Sequence, residues 1–576
     1  MKKTLLLFLF LGAINSFGNV DSNEKLYYNG TVLTLDKDGV VEESIYIKDG
    51  KVVEVGKSED LLKKFGNGSV EKIDLQGKTI SPGFIDIHSH FMNALRISDW
   101  ANVSAPPVGK AENIDGILEI LKEHKSNKNI NDGDWIIGYG YDENYLDRNL
   151  TKFDLDKEFP NNPVLILHVS NHGAVLNSLA LDHFNISKDT PTPKGGVISR
   201  VAGTNEPEGL LMETAFLEVF AKLPQPSEEE LIEKLDVAQQ TYAKEGYTTI
   251  QEGATHADEL KLLKKGADDN KLYIDVVSLP IVTEIPTLIN GYLANPHDKN
   301  LDVEKINEKF DKYYNNLKIG GIKLAVDGSP QGKTASFKEE LKTSGPNGEQ
   351  HWKGESLLDQ ETLNKVYKKL VDNNIKVFTH ANGDNGIDMV IEAVKFAGGK
   401  KGDGRRDIVI HSQIMHPYQL DEYVELGLSP SFFTNHVYFW GDVHIENLGE
   451  ELAAGISPMN SANKKGLVTT NHTDFSITPL NPFMTMWTAT NRITKKGTLL
   501  GEDERVENLD ALKAITTNAA WQLGEEDSKG TLEPGKVADL VILSENPLDI
   551  PKEKLLDLKV IETIKNGKTV YKTPEN

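Results

Sequence analysis

The chain has 576 residues, of which 38% are hydrophobic and 26% are charged, a composition typical of globular proteins and unlike that of disordered ones. Its formal net charge of −24, without any cluster of basic residues, argues against binding to nucleic acid or to an anionic membrane surface. Cysteine is absent, which excludes a disulfide framework. The length suits one large domain together with a smaller one.

The first residues, MKKTLLLFLFLGAINSFG, have the three-part pattern of a secretory signal. Two lysines precede the apolar run Leu5–Ile14, which is too short to span a bilayer, and small residues follow at Ser16 and Gly18. We therefore predict a signal peptide over residues 1–18 and a periplasmic or secreted protein with no stable membrane insertion after cleavage. The alternative is a retained, buried helix.

Both ends of the chain contain a predicted β-hairpin. Asp-Gly at 49–50 and Asn-Gly at 566–567 each interrupt a run of alternating apolar residues, and both dipeptides favour the positive φ angles of tight hairpin turns. The segment LEPGKVADLVIL near the end adds another strand. We predict one small β-sandwich domain built from residues 19–82 and 524–576, with two independent surface hairpins as the alternative.

Between the ends, strand-like segments alternate with helical patterns, which favours an α/β fold with a (β/α)8 TIM-like barrel over residues 83–523. The eight strand candidates are GFIDIHSH (83–90), YTTIQEG (247–253), YIDVVSLP (273–280), GIKLAVDG (321–328), IKVFTHA (375–381), DIVIHSQ (407–413), LSPSFF (428–433) and GLVTTNH (466–472). The long gap after the first contains an insertion, roughly 100–235, with its own strands WIIGYGY and PVLILHVS. An insertion after a barrel strand lies on the catalytic face, so we expect this one to wall the site.

The segment SPGFIDIHSHF ends the first of these strands with two histidines. Side chains alternate between the two faces of a strand, so Asp86, His88 and His90 face one way while Ile85 and Ile87 face the other. Two imidazoles one strand step apart on the same face can bind a single metal ion. The alternative is a strand end with two unrelated histidines.

Polar residues also end other predicted strands. The fourth strand carries Lys323, the fifth His380 and the sixth His411, and Asp474 lies just after the eighth. One βα unit of about 30 residues separates His380 from His411, and two such units separate His411 from Asp474. Because the carboxyl ends of barrel strands converge, we expect these side chains to lie near His88.

These motifs resemble the amidohydrolase superfamily, and within it the YtcJ-like branch that includes relatives of N-substituted formamide deformylase. The resemblance is carried by HSH after PGFID, GIKLAVDGSPQGKTA, THANGD, VIHSQ, NHTDF, LNSLAL in the insertion and GTLEPGKVADLVIL near the end. It covers nearly the whole chain after the predicted signal. It implies a metal-dependent hydrolase of an amide or related C–N bond, acting on a small molecule of the N-acyl or N-formyl type.

The resemblance also implies a centre of one or two divalent metal ions. His88 and His90 would bind the more buried ion, with Asp474 at its edge. His380 and His411 would bind the second. Zn²⁺ is favoured by nitrogen and oxygen ligands, although manganese and iron also fit them.

Lys323 and Asp474 have chemical roles in this interpretation. An ammonium group cannot bind a cation, but in related enzymes such a lysine is carboxylated and its carbamate bridges two metal ions. Burial beside other cationic groups lowers the pKa of a lysine and so favours the neutral amine that carboxylation needs. Asp474 would take a proton from the attacking water and pass it to the leaving nitrogen. Alternatively, Lys323 is a surface lysine or forms an ion pair with Asp327. The alternative for Asp474 is that it caps the N-terminus of a helix.

Two further histidines are candidate substrate-binding residues. His172 matches a histidine of the family's insertion, and His436 follows the seventh strand. For both residues a structural role is the alternative.

Two other functions fit the same sequence, namely deamination of a heterocycle and ligand binding by an exported protein without catalytic activity. Nothing in the sequence opposes a homodimer.

Overall fold

The computed structural model describes residues 23–574 except 107, 171–172, 194–195, 221, 224–226, 285–310 and 347. Two predictions, the signal peptide over residues 1–18 and the substrate contact of His172, lie outside the described residues. Within the described ranges, no helix combines the length and the apolar character that crossing a bilayer requires.

Strands from both ends of the described chain pair in one sheet. Its six strands lie in the order Lys568–Lys572, Val560–Lys565, Leu540–Leu543, Thr79–Pro82, Thr31–Leu33 and Val41–Glu42. A second sheet has the order Lys51–Gly56, Ser44–Lys48, Glu24–Tyr28 and Glu71–Asp74. Both predicted hairpins are confirmed, and Asp49 and Asn566 have the positive φ angles expected of their turns. Ile45 of the smaller sheet packs in one hydrophobic cluster with Ile80 and Ile542 of the larger.

Parallel strands form the centre of the molecule. One sheet has the order Leu317–Ile319, Asp275–Pro280, Tyr247–Thr255 and Phe84–Ser89. Another has the order Ile322–Ala325, Val377–Ala381, Ile408–His411, Ser429–Phe432 and Thr470–Asn471. Every pairing within these two sheets is parallel. Parallel strands require long connections, which helices supply, and the result is an α/β fold.

The two central sheets contact each other at two places. Ile281, which follows the strand next to the edge of the first sheet, forms a parallel bridge with Lys323 on the edge strand of the second. At the opposite edges the N–H of Asp474 donates to the carbonyl of His88 over 3.1 Å. These contacts bring the carboxyl ends of strands from different sheets side by side.

The predicted strands of the sixth and eighth units end earlier than the sequence indicates. The sixth ends at His411, where φ is 73°, and Ser412 follows with φ of 43°. Only Thr470–Asn471 of the predicted segment 466–472 is extended, and Asp474 has φ of 50°. Positive φ interrupts the extended backbone, so His411 is the last residue of its strand and Asp474 lies in the turn that follows Thr470–Asn471.

The region between the first two central strands contains a six-stranded sheet of its own. Its order is Gly196–Arg200, Pro207–Glu213, Gly173–Leu176, Val164–His168, Ile136–Tyr141 and Ala101–Asn102. Two of these strands confirm the predicted WIIGYGY and PVLILHVS segments. Val164 and Ile166 pack in one hydrophobic cluster and Leu165 and Leu167 in another, as strand alternation dictates. Both faces of the sheet are therefore covered.

Helices connect and cover the strands. They are Ser58–Phe65, Phe91–Ile97, Ile114–Asn127, Lys152–Glu158, Ser178–His183, Thr214–Phe220, Glu228–Lys244, Ala257–Asp268, Gln360–Asp372, Asp384–Ala397, Pro417–Leu426, Asn435–Leu448, Glu450–Ala454, Met459–Lys464, Pro482–Asn491, Asn508–Ala514 and Thr517–Leu523. The helix Gln360–Asp372 begins after Asp359, whose side chain accepts a hydrogen bond from the N–H of Thr362. It buries Leu363, Tyr367 and Leu370, which recur at helical spacing.

Candidate metal centre

Four predicted ligands lie on parallel strands. His88, His380 and His411 are at or near the carboxyl ends of theirs, and Lys323 is the second residue of Ile322–Ala325. Three of these strands are neighbours, with Ala325 paired to His380 and Ala381 paired to His411. Parallel pairing without a large register shift places their side chains at one edge of the sheet, as the strand-end argument requires.

Asp474 approaches the two histidines of the first strand. Its Oδ1 lies 3.4 Å from Nε2 of His88 and 3.2 Å from Nε2 of His90. Nζ of Lys323 lies 3.4 Å from the same nitrogen of His88. These four residues therefore converge on one small volume, as their positions at strand ends predicted.

His380 and His411 form the second part of the cluster. Nδ1 of His380 and Nε2 of His411 are 3.0 Å apart, and the rings are nearly perpendicular at 81°. The ring of His88 lies 5.4 Å from that of His411, measured between centroids. The two histidine pairs are thus parts of one continuous group of imidazoles.

Three residues that the sequence analysis did not assign hold the second pair of imidazoles. Nε2 of His380 lies 3.3 Å from the carbonyl oxygen of Gly328, to which it can donate its proton and so leave Nδ1 as the nitrogen that faces the cluster. Nδ1 of His411 lies 3.1 Å from Nε2 of His472, whose Nδ1 lies 2.8 Å from the hydroxyl of Ser431. Hydrogen bonds to the far side of an imidazole fix its orientation and tautomer, which metal ligands require.

The donor set fits a divalent metal ion. One atom each from His88, His411 and Asp474 lies within 4.8 Å of the other two. Oδ1 of Asp474 is buried and receives no hydrogen bond from the described residues. Nε2 of His88 and Oδ1 of Asp474 are 3.4 Å apart, the separation expected of two ligands of one ion at metal–ligand distances near 2.0–2.2 Å. Imidazole nitrogen with carboxylate oxygen is a donor combination that zinc accepts.

Burial prepares these side chains for binding a cation. It lowers the pKa of His88 and of His411 well below the ordinary value, and neighbouring cationic groups lower both further, so both rings are neutral. Burial also lowers the pKa of Lys323 to about 7, which leaves its amine partly unprotonated near neutral pH. Burial would raise the pKa of Asp474, but contact with His90 outweighs it and keeps the carboxylate ionised.

Glu252 and Gly253 support the first strand from its neighbour. Glu252 is 2% exposed and accepts a hydrogen bond from the N–H of Met92 over 2.7 Å. A Cβ atom at Gly253 would lie 2.3 Å from Cε1 of His88. The space that the ring of His88 occupies therefore exists only because residue 253 lacks a side chain. The sequence offers no local signal for this contact.

A cavity of about 470 Å³ opens above the cluster. Besides the candidate ligands, its wall includes Ser170, Ile281, Pro330, Leu357, Phe433 and His436. The structure therefore places His436, a predicted substrate-binding residue, at the cavity, where it is 3% exposed. The wall is mostly apolar, which suits a small molecule held by a few polar groups.

The insertion contributes Ser170 to this wall. The hydroxyl of Ser170 lies 2.7 Å from Nδ1 of His168, and Nε2 of His168 lies 2.7 Å from a carboxylate oxygen of Glu143. Asp142, Glu143 and His168 form a second group of potential metal ligands, with one atom of each within 4.8 Å of the other two. Both ring nitrogens of His168 already have hydrogen-bond partners, so we interpret this group as a support for Ser170.

Known proteins resemble the chain over most of its length. A model of the amidohydrolase family matches residues 71–571. YtcJ of Bacillus subtilis (strain 168) is 28% identical over 561 residues, which cover 95% of this chain and 99% of that protein. The N-substituted formamide deformylase of Arthrobacter pascens is 25% identical over 94% of this chain and 97% of its own. An uncharacterized metal-dependent hydrolase from Pyrococcus horikoshii OT3 shares the fold, with a TM-score of 0.70 at 22% identity, over 92% of this chain and 99% of that structure.

Proposed function

Because the chain belongs to the amidohydrolase family, as its motifs predicted, we propose that it is a metal-dependent enzyme that hydrolyses an amide or related C–N bond. The observation that carries the proposal is the convergence of buried, neutral imidazoles with Asp474 at one edge of the central strands. The relative named for deformylation of N-substituted formamides directs the choice of substrate towards N-formyl and N-acyl compounds.

The proposed centre holds one or two divalent ions, with Zn²⁺ favoured. His88 and His90 would hold the first ion with Asp474 at its edge, and His380 and His411 the second. A bound metal would lower the pKa of a water molecule to about 7 and polarise the scissile carbonyl. The hydrogen bonds open to the far-side nitrogens, from His380 to the carbonyl of Gly328 and between His411 and His472, support this assignment.

Lys323 is proposed as a carboxylated ligand. Its neutral amine would attack carbon dioxide, form an N–C bond and lose a proton, which leaves a carbamate with two oxygen donors. Support comes from the lowered pKa of about 7 and from the position of Nζ, 3.4 Å from His88. The described residues place no carboxylate within 4.0 Å of Nζ to hold it as an ammonium ion.

Asp474 is proposed as the proton shuttle. Its carboxylate would accept a proton from the attacking water and deliver it to the leaving nitrogen, so that the C–N bond breaks with an amine as leaving group. Nε2 of His90 lies 3.2 Å from Oδ1 of this carboxylate. The pKa below the usual value keeps Asp474 available as a base near neutral pH.

His436 and Ser170 would contact substrate from the cavity wall, and His172, outside the described residues, is proposed as a third contact. Ser170 comes from the insertion, so the insertion and the loops would select the substrate while the strand ends supply the chemistry.

We further propose that the central strands form one closed (β/α)8 barrel over residues 83–523, with Leu317–Ile319 and Ile322–Ala325 as two parts of its fourth strand. The two contacts between the central sheets support closure. The β-sandwich would comprise residues 19–82 and 524–576. The shared hydrophobic cluster of the two terminal sheets supports it.

Export is proposed from the signal-like sequence over residues 1–18, with a periplasmic or secreted mature protein. The acidic composition supports a small-molecule substrate rather than nucleic acid. A homodimer remains compatible with these proposals.

The proposed function is tested by supplying the full chain with Zn²⁺ and assaying N-formyl and N-acetyl derivatives of primary amines. Release of free amine, lost on chelation and restored by metal, is the expected result. Release of ammonia from heterocycles would instead identify a deaminase. A folded, metal-loaded protein without turnover on either panel would favour the binding protein.

A further inference from the structure

Two histidines lie on one face of the helix Asn435–Leu448 behind the cavity. The rings of His436 and His444 are nearly coplanar and face each other edge to edge, with an angle of 15° between their planes and centroids 5.3 Å apart. Nδ1 of His436 lies 3.0 Å from Nε2 of His444. His436 lines the cavity, whereas His444 is completely buried.

Both imidazoles are neutral, so one proton lies between them. Burial lowers the pKa of His436 well below its ordinary value, and the neighbouring His444 lowers it further. Burial alone lowers the pKa of His444 to about 3. The hydrogen bond therefore has two arrangements, in which either His444 donates from Nε2 or His436 donates from Nδ1.

The far side of His444 distinguishes the two arrangements. Nδ1 of His444 is buried and has no hydrogen-bond partner in the described part of the chain. If His436 donated, His444 would carry its proton on Nδ1, as a buried N–H without an acceptor. If His444 donates from Nε2, Nδ1 is left as a bare lone pair. Among buried backbone groups, N–H donors without partners are rarer than under-satisfied acceptors, and the same preference applied to the imidazole favours the second arrangement.

We propose that His444 fixes His436 as the tautomer protonated on Nε2, so that His436 presents a neutral N–H donor to the cavity. With Nδ1 accepting from His444, Nε2 is the nitrogen through which His436 can reach a bound molecule. Phe433 and Trp440, each with its ring centroid 4.7 Å from that of His436, restrict rotation of the imidazole. His444 is thus a positioning residue that acts through His436.

A donor fixed in this way selects the chemistry of the substrate. It binds a carbonyl oxygen and binds more strongly when negative charge develops there, because a donor in a water-excluded site needs no reorganisation. It offers nothing to a substrate that presents an N–H at the same position. The identity of the acceptor as a scissile carbonyl rests on the proposed amide hydrolysis, whereas the tautomer itself does not.

The direct test is a ¹⁵N spectrum of the histidine side chains in the metal-loaded full chain without substrate. The sequence has 15 histidines, and the signals of His436 are identified by their loss in His436→Gln. We expect Nδ1 of His436 to be unprotonated and Nε2 to be protonated. A protonated Nδ1 would overturn the proposal. This result is independent of whether any amide is hydrolysed.

Two substitutions of His444 with nearly the same shape sharpen the test. Gln places an amide donor near the former position of Nε2, whereas Glu offers an acceptor that draws the proton of His436 to Nδ1. On the N-formyl amine that the wild type hydrolyses fastest, we expect Gln to retain most of kcat and Glu to lower kcat roughly 100-fold, with a smaller change in KM. Equal losses in both variants would indicate a merely structural role and overturn the proposal.

Folding and function are separated by two further readouts. Thermal unfolding and metal content are compared for the wild type, His444→Gln and His444→Glu, so that a loss of kcat is scored only in folded, metal-loaded protein. If Glu prevents folding, the spectra of the wild type and His444→Gln still decide the tautomer. A wild type that hydrolyses no N-formyl or N-acetyl amine would contradict the proposed function, while the spectrum would still confirm or overturn the tautomer.

Discussion

At the amino ends of the central strands, buried charges are paired with one another. Nζ of Lys529 lies 2.5 Å from Asp275 and 2.6 Å from Glu525, and Nζ of Lys565 lies 2.6 Å from both Asp275 and Asp539. At the carboxyl ends, by contrast, Nζ of the equally buried Lys323 has His88 as its hydrogen-bonding neighbour and lies beyond 4.0 Å from every described carboxylate.

The comparison of Lys529 with Lys323 separates the effect of burial from that of pairing. The two side chains belong to residues that are 7% and 6% exposed, respectively. Burial lowers the pKa of both, but Asp275 and Glu525 outweigh it at Lys529 and raise that pKa, whereas Lys323 falls to about 7. One end of the strands therefore keeps its ions charged for stability. At the other end, burial keeps the imidazoles of His88 and His411 neutral, the state in which they can bind a metal.

The largest expected effect comes from replacing an aspartate by asparagine, a substitution that should have different consequences at the two ends of the central strands. Asp474→Asn should lower kcat by about 1,000-fold, because it removes the proposed proton shuttle, while metal content stays unchanged. Asp275→Asn should leave kcat unchanged and lower the free energy of unfolding by about 3 kcal/mol, since it leaves two buried lysines short of a partner. Steady-state kinetics and denaturant unfolding measure both. Retained turnover in Asp474→Asn would remove it as the shuttle.

The two buried lysines provide the second contrast. Lys323→Ala should lower the number of bound metal ions, with partial rescue by short carboxylic acids that replace the carbamate. Lys529→Ala should keep the metal and lower the free energy of unfolding by about 3 kcal/mol, because it breaks a buried ion pair. Metal analysis and unfolding curves of both variants measure these two effects. Unchanged metal content in Lys323→Ala would exclude the bridging role.

A smaller effect, on metal affinity, is expected at Gly253, where the absence of a side chain leaves space for the ring of His88. In Gly253→Ala the new Cβ would lie 2.3 Å from Cε1 of His88, so the imidazole must move and metal affinity should fall about 10-fold or more. Gly116→Ala is the matched control, since the nearest atom to a Cβ there is 3.6 Å away. Competition with a chelator of known affinity measures both. Equal affinities would show that His88 does not bind metal in the observed position.

The smallest effect is a pH dependence confined to the amino ends. Burial would raise the pKa of Asp275, but Lys529 and Lys565 outweigh it and hold the pKa below its ordinary 3.8. A carboxylate with a lowered pKa contributes stability that is present above that ordinary value and is lost as the pH falls through the folded-state pKa. Below about pH 4 the wild type should therefore lose unfolding free energy more steeply than Asp275→Asn. If the unfolding free energies of the wild type and Asp275→Asn fell with pH at the same slope, the pairing of Asp275 with Lys529 and Lys565 would be contradicted.

Much of the candidate site could be predicted because its residues follow local rules. Strand parity grouped His88 with His90, and the spacing of βα units placed His380 and His411 at one edge. The structure brings these residues together with Lys323. The family resemblance, which the comparisons confirm, gave the pattern a chemical meaning.

The remaining features depend on contacts that no local pattern records. His472 orients His411 from 61 positions away in sequence, and Lys529 pairs with Asp275 across 254 positions. Gly253 contributes by the absence of a side chain. Positive φ at His411 and Ser412 ends a strand that was predicted to continue to Gln413. Each of these results from packing between distant elements.

The central claim is that the strand-end cluster binds metal, and metal content per chain tests it most directly. The full chain is purified without chelator, supplied with Zn²⁺ and bicarbonate, and analysed together with His88→Asn and, as an exposed control, His351→Asn. One or two ions per chain in the wild type and control, fewer in His88→Asn, and the added mass of a carbamate in the native mass spectrum are the expected results. A folded wild type without bound metal would contradict the account.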